Sequence, residues 1–273
     1  MQAASRESYK VAAERLDAYV RGAEPSAVAN TAADILSVAD LLRREPRLRR
    51  ALSDPARSGA DRAALLGELL RDKIGAEPLD LLASMVAGRW SAPSELLGGT
   101  ERLGVEALLA SADAAGDLGE VEDELFRFGQ VVAGQSALSN ALADSMAPIG
   151  QRAALARELL AGKARPVTVS LVEVALSGFG GRSFIGALTR LVELAADRRD
   201  RQVAYVTAAA PLSEEDERRL GASLSAIYGR EVSVKQTVDP SVLGGVSVRV
   251  GSDLYDGTVL RRLNESRNAL TKR

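Results

Sequence analysis

The chain contains no cysteine and no histidine. Without cysteine there are no disulfides, thiolate nucleophiles or thiolate metal sites. Without histidine there is no Ser-His-Asp or Cys-His catalytic set, and the commonest zinc sites are excluded. Catalysis would have to rest on carboxylates, Lys or Tyr. No run approaches ~18 apolar residues, the length that reads as a membrane span. Residues 1–10 are polar and charged, without the apolar core of a secretory signal. A membrane role would therefore come through a partner. Lys plus Arg is 35 and Asp plus Glu 37, a net charge of −2. That does not suit a general nucleic-acid binder, whose affinity comes from neutralising phosphates with excess cations.

What is present is a soluble globular composition, 46% hydrophobic and 26% charged over 273 residues. At ~150 residues per domain this length suggests about two domains, each able to bury a core without metals or disulfides. The first two hundred residues read as helices. In 5–21, Tyr9, Ala12, Ala13, Leu16 and Tyr19 recur on one face, and Gly22 and Pro25 end the segment. A second helix, 26–45, carries Val28, Ile35, Val38 and Leu42 until Pro46 breaks it. Further helices are expected over 59–73, 77–88, 94–112 and 117–135.

The pattern then repeats. The apolar stripe of 117–135 is Leu118, Leu125, Phe128 and Val132, each 90 residues after its counterpart in the second helix. Ala51-Leu52-x-Asp54 matches Ala141-Leu142-x-Asp144, and Arg62-Ala63-Ala64-Leu65 matches Arg152-Ala153-Ala154-Leu155. Glu68-Leu69-Leu70 matches Glu158-Leu159-Leu160, so ten of the twenty residues in 51–70 recur at 141–160. Composition alone does not fix register. The expectation is a duplicated unit of about five helices, with the first helix present once and Ala-rich up-down bundles as its packing. The division is 1–116, first helix and first copy; 117–201, second copy; and 202–273, a different domain.

From residue 202 the period changes to two. Residues 202–208 read as a strand. Ser213 with Asp216 forms a capping pair, Leu220, Leu224 and Ile227 form a buried helix face, and Gly229 stops it. Val232, Val234 and Val238 make a second strand. Val246, Val248 and Val250 make a third, which Gly251-Ser252 turns back into a hairpin with Leu254. Asp256-Gly257-Thr258 opens a last helix with Val259, Leu260 and Leu263 inward. The fold class is thus α+β, mostly α: a helical bundle region followed by a small β-α-β-β-α domain.

Several places look chemical. The Gly-rich loop 178–186 precedes a helix, as phosphate loops do. It lacks the lysine of a Walker motif and follows a helix rather than a strand, so it reads as a helix–helix corner. Glu120, Glu122, Asp123 and Glu124 read as a solvated, dipole-favoured helix start, and Arg198, Arg199 and Arg201 as a solvated helix end. Trp90 reads as core or interface. Gly244 and Gly245 enter a strand at an entropic cost, which points to a bend or close backbone approach rather than chemistry.

The C-terminal residues resemble a known family. Val232-x-Val234, three residues, Val238-Asp239, two residues, Val242-x-Gly244-Gly245-Val246-x-Val248-Arg249-x-Gly251, then Asp256-Gly257-Thr258, is similar to the signature of the delta subunit of bacterial F-type ATP synthases and its mitochondrial relative, the oligomycin-sensitivity-conferring protein. The resemblance extends over the whole chain, with the duplication as in long actinobacterial forms. It implies a non-catalytic stator subunit with no cofactor and no metal, monomeric within the complex. The helical part would hold the N-terminal segments of the alpha subunits, with beta, at the catalytic head. The C-terminal domain would hold the b subunit of the peripheral stalk. The location implied is the cytoplasmic face of the cell membrane, reached only through the complex. By position, Arg6, Ser8, Val11 and Arg15 on the first helix would meet the head. The other readings are a generic two-domain adaptor, or an enzyme built on the 178–186 loop.

Overall fold

The computed structural model describes residues 1–199, 201–251, 253–259 and 261. Among these, eleven α-helices precede the first strand: α1 (Ala3–Val20), α2 (Pro25–Arg44), α3 (Pro46–Ser53), α4 (Gly59–Leu70), α5 (Ala76–Ala87), α6 (Pro93–Ala114), α7 (Leu118–Ala133), α8 (Ser136–Ala143), α9 (Ile149–Leu160), α10 (Pro166–Leu176) and α11 (Phe184–Arg198). The sheet region follows as β1 (Arg201–Ala208), α12 (Glu214–Tyr228), β2 (Glu231–Val238), β3 (Val246–Val250) and β4 (Asp253–Asp256). The chain is α+β and mostly helical.

Proline starts helices here. Pro25, Pro46, Pro93 and Pro166 each sit in a first turn, where the missing N–H would have no partner anyway. Pro46 therefore breaks α2 and opens α3, a short helix not anticipated from the sequence, and α8 is the second such helix. Serine hydroxyls cap three others. Ser58 accepts from the Asp61 N–H, Ser183 from Gly186 and Ser213 from Asp216. The expected stop at Gly229 is a left-handed residue, with φ of 69°.

The helical core is continuous rather than two separate bundles. Leu16, Ile35, Leu82 and Leu103 belong to the same buried cluster as Leu125, Leu142, Leu171 and Leu191. Helix α6 ties it together. Most of its residues between Leu96 and Ala112 are buried, and it packs on α1 and α2 as well as on α10 and α11.

The sheet order is β2-β1-β3-β4, with β1 parallel to β2 and the other pairs antiparallel. Its period-two pattern divides the two faces. Ala204, Val206, Val232, Val248 and Val250 form a small core with Leu224 of α12. Residues of opposite parity, Val203, Tyr205, Ser233, Lys235 and Thr237, face α7 and the bundle. The expected last helix falls mainly outside the described residues. Val259, which lies within them, is exposed rather than inward. Its N–H donates to the Gly244 carbonyl.

Candidate interaction surfaces

Helix α1 is bound down by its N-terminal half. The Ser5 hydroxyl donates to the Glu95 carboxylate, and the Gln2 N–H donates to the same group at 2.9 Å. These bonds, the Ser5 hydroxyl foremost, hold the Glu95 carboxyl below its usual range. The Ser8 hydroxyl donates to the Arg89 carbonyl at 2.8 Å, across the corner between α5 and α6. A Cβ on Gly88 would lie 2.4 Å from the Ser8 oxygen, so Gly88 permits this close seat. Tyr9, Ala12 and Leu16 are buried, and the Arg102 guanidinium covers the Tyr9 ring at 4.7 Å. Burial pushes the Tyr9 hydroxyl up, so it stays neutral.

The four residues expected on the partner flank do not form one surface. Ser8 is buried by the corner it bonds. At about 100° per residue, Arg6 falls on the opposite side of the buried stripe from Val11 and Arg15. Val11 and Arg15 remain together on one exposed flank, with Val11 42% exposed. Arg15 pairs with Asp80 of α5 at 3.1 Å, so this flank continues onto α5.

The bundle meets the sheet through charge. Glu122 of α7 has a fully buried carboxylate, which pairs with Arg199 at 3.0 Å and Lys235 of β2 at 2.8 Å, and accepts from the Ser233 hydroxyl at 2.9 Å. Lys235 also pairs with Asp123 at 2.5 Å. Gln130 donates to the Thr237 hydroxyl at 2.7 Å, and the Phe126 and Tyr205 rings lie 6.3 Å apart. The solvated reading is thereby corrected for Glu122 and Arg199, whereas Glu120 is exposed as expected. Glu122 is interior, Arg199 neutralises it, and Arg198 pairs with Asp113. Glu120 and Glu124 accept from Arg165, and Glu124 also from the Thr168 hydroxyl, so the four acids divide between α10 and β2 and do not converge on one point.

The loop 178–186 is a helix–helix corner. Gly178 is left-handed, Phe179 is buried in a 3-10 turn, and Ser183 caps α11. Trp90 is core, its indole N–H donating to the Met85 carbonyl at 2.8 Å. The glycine pair at the β3 entry has φ of 84° and 77°. A Cβ on Gly245 would lie 2.4 Å from the Gly257 carbonyl, and the Gly257 N–H donates to Val246. The pair thus lets 257–259 cross the strand start. The side-chain hydroxyls of Ser241 and Thr258, and then their backbone N–H groups, donate to Asp239 and Asp256, which lowers both carboxyls and fixes the flanking turns. Val232, Val248 and Val250 face α12, Val234, Val242 and Val246 are half-buried, and Val238 and Arg249 are exposed.

The family model described as ATP synthase delta (OSCP) subunit matches residues 105–270. The chain belongs to the ATP synthase delta (OSCP) subunit family. Full-length similarity agrees: an ATP synthase subunit delta of Salinispora arenicola is 83% identical, with all of both chains covered. One from Streptomyces griseus is 45% identical over 97% of this chain and 98% of its own. Among solved structures, a chain of the Toxoplasma gondii mitochondrial ATP synthase hexamer matches with TM-score 0.34 and 20% identity, covering 61% of this chain and 94% of that one. As a delta-family member, this chain is a non-catalytic subunit of an ATP synthase. The matched stretch begins inside α6. Among the described residues, no helix is long and apolar enough to cross a membrane.

Two groups of residues in this delta-family chain escaped the sequence reading. Glu122 and Lys235 stand more than a hundred residues apart, and nothing local links them. In the sequence Arg62 stands out only as part of the repeat. It is buried, and its guanidinium donates to the carbonyls of Asp54, Arg57, Val86, Ala87 and Gly88. Its recurrence as Arg152 was the available signal.

Proposed function

We propose that this chain is the peripheral-stalk adaptor of a proton-translocating F-type ATP synthase. Its first helical unit grips alpha-subunit N-terminal helices of the alpha–beta head, and its sheet domain grips the b stalk. In this role it resists rotation of the head during ATP synthesis. It acts as one copy per complex, without cofactor, and reaches the cytoplasmic face of the membrane only through b. The observation that carries this reading is the Val11–Arg15 flank of α1, exposed and continuous with α5 through Asp80. An amphipathic partner helix laid there would bury Val11 without disturbing the core. On the sheet domain, Ile227, exposed rather than on the buried helix face expected for it, and Tyr255 flank the hydroxyl contact of Tyr228 with Tyr255, a surface suited to the stalk.

The helical part reads as two six-helix units that share α6. Shifted by 90 residues, α3 and α4 coincide with α8 and α9, and α5 starts where α10 starts. The same shift carries the start of α1 to the start of α6. Helix α1 packs on α5 and α6, and α6 packs on α10 and α11. Arg62 donates to the Val86 carbonyl and Arg152 to the equivalent Leu176 carbonyl. In this arrangement the division near residue 116 passes just beyond a helix that closes the first unit and opens the second. The division near 201 separates the head-binding part from the stalk-binding part.

The test is reconstitution. Membranes stripped of this subunit should regain ATP-driven proton pumping on addition of the full chain. They should not regain it on addition of 1–201 and 202–273 as separate pieces. The isolated chain should neither bind nor hydrolyse ATP. Recovery with the cut chain, or coupling that never depended on the subunit, would overturn the proposal.

A further inference from the structure

The two copies of the repeat agree in shape at α3 and α8 and disagree there in charge. Residues 43–50 hold five arginines, Arg43, Arg44, Arg47, Arg49 and Arg50, whereas residues 133–140, shifted by 90, hold no charged side chain. Helices α3 and α8 nevertheless have the same length at equivalent places, and each buries its leucine, Leu52 and Leu142, completely. The fold of this corner therefore does not need the whole arginine set. Three of the five have structural partners. Arg43 pairs with Glu101 at 2.6 Å, Arg44 pairs with Asp40, and Arg49 donates to the Leu42 carbonyl at 3.2 Å across the turn between α2 and α3. Arg47 and Arg50 have none. They lie three residues apart on one face of α3, both are exposed, and neither side chain makes a hydrogen bond or ion pair among the described residues.

The basic face continues beyond α3. Arg50 and Arg57 line a notch of about 410 Å³ together with Trp90, Ser91 and Pro93, which belong to the corner between α5 and α6. Arg89, next to Trp90, is exposed, and its side chain too is without a partner among the described residues. The acids nearby are mostly taken: Asp54 pairs with Arg57 at 3.9 Å, and Glu95 accepts from Ser5 and Gln2. Glu45 is left to oppose Arg47, Arg50 and Arg89, so the corner keeps a positive surplus on a chain whose net charge is −2. In the second copy Ala147 and Phe179 stand where Arg57 and Arg89 stand in the first. The Ser91 N–H donates to the Ser5 hydroxyl at 3.0 Å, so the start of α1 is seated at this same corner. We infer that the arginine face of α3 and the α5–α6 corner docks an acidic, Asp- and Glu-rich segment of the catalytic head, beside α1. Guanidinium forks match carboxylates in paired hydrogen bonds, and a local surplus of cations steers an acidic partner to one face. The inference rests on the proposed function, in which the first helical unit faces the head.

The experiment measures association of the full chain with the isolated alpha–beta head by surface plasmon resonance over a series of salt concentrations. Arg47→Glu combined with Arg50→Glu should lower the association rate constant about tenfold or more and flatten its fall with salt. Both side chains are exposed and unbonded, so the melting temperature should not move. Arg47→Lys with Arg50→Lys should keep most of the rate. Arg218→Glu with Arg219→Glu, exposed on α12, makes the same change in net charge and should leave the rate unchanged. Equal slowing by the two Glu pairs would reduce the effect to net charge and overturn the docking face. An unchanged rate and salt dependence for the α3 pair, with Val11→Asp still weakening binding, would overturn the inference and leave the proposed function standing. A duplex oligonucleotide that binds the chain at physiological salt and is released by the α3 pair would make a phosphate backbone the ligand, which also overturns it. No binding of the head by the unmodified chain would overturn the proposed function itself.

Discussion

Arg62 and Arg152 hold the same place in two helical arrays and are satisfied unequally. Arg62 is buried and donates to five backbone carbonyls, whereas Arg152 donates to Leu142 and Leu176 and its Nε atom is buried without a partner. The cause lies at the start of the helix that carries each arginine. In the first array Gly59 opens α4 so close to the end of α5 that a Cβ would lie 2.4 Å from the Ala87 carbonyl. That approach brings the Ala87 and Gly88 carbonyls onto the guanidinium. The second array has Ile149 at that position, which stays exposed, and the adjacent Met146 is 90% exposed. Its equivalent corner leaves α10 through the left-handed Gly178 and a 3-10 turn instead. One side chain thus separates a tight corner from a loose one, although the surrounding sequence repeats.

The comparison breaks most visibly at the arginines. Arg62→Leu strands five carbonyls, each lost buried hydrogen bond costing about 1–3 kcal/mol. The expected destabilisation is at least about 3 kcal/mol in denaturant unfolding, and Arg152→Leu should cost less than half of that. Equal losses would show that the two corners are equivalent. Next in size is Gly59→Ala, where the new methyl meets backbone and the corner must open, at about 1–3 kcal/mol. An unchanged midpoint would mean that the corner already yields. Gly245→Val applies the same test outside the bundle. Positive φ and the Gly257 carbonyl 2.4 Å from a Cβ predict a loss of at least about 1–3 kcal/mol, read from the melting of the full chain.

The smallest expected effect is a pH dependence at the start of α1. Ser5 holds the Glu95 carboxyl below its usual range, so the folded value lies beneath the unfolded one. The contribution is present above the unfolded value and is lost as pH falls through the folded value. The difference in melting temperature between the wild type and Ser5→Ala should shrink as pH drops below the carboxylate range. A difference that grows toward acid would contradict the assignment.

Local chemistry was legible in the sequence wherever it was local in space. The Ser213 cap, the Gly229 stop, the alternating strands and the constrained Gly244-Gly245 pair all follow from residues within a few positions of one another. The 90-residue shift was legible because charged and breaker positions recur with it. Burial of Glu122 was not. An acid close to a helix start reads as satisfied by the dipole, and the partners Arg199 and Lys235 come from elements brought together only by the fold. Helices α3 and α8 are not legible because each spans only eight residues, about two turns, too few for an apolar stripe to recur, and because Pro46 both ends α2 and starts α3. On α1 the partner flank was half legible: Val11 and Arg15 lie where periodicity puts them, but the burial of Ser8 depends on the α5–α6 corner.

The account stands or falls on the outer flank of α1, and Val11→Asp in the full chain addresses it directly. Val11 is exposed and lies outside the buried cluster, so the melting temperature should stay within a degree or so of wild type, as for other surface changes. A charge buried unpaired under a partner helix costs several kcal/mol, so the dissociation constant for the alpha-bearing head should rise ~100-fold or more. Unchanged affinity with an unchanged melting temperature would show that the head is held elsewhere.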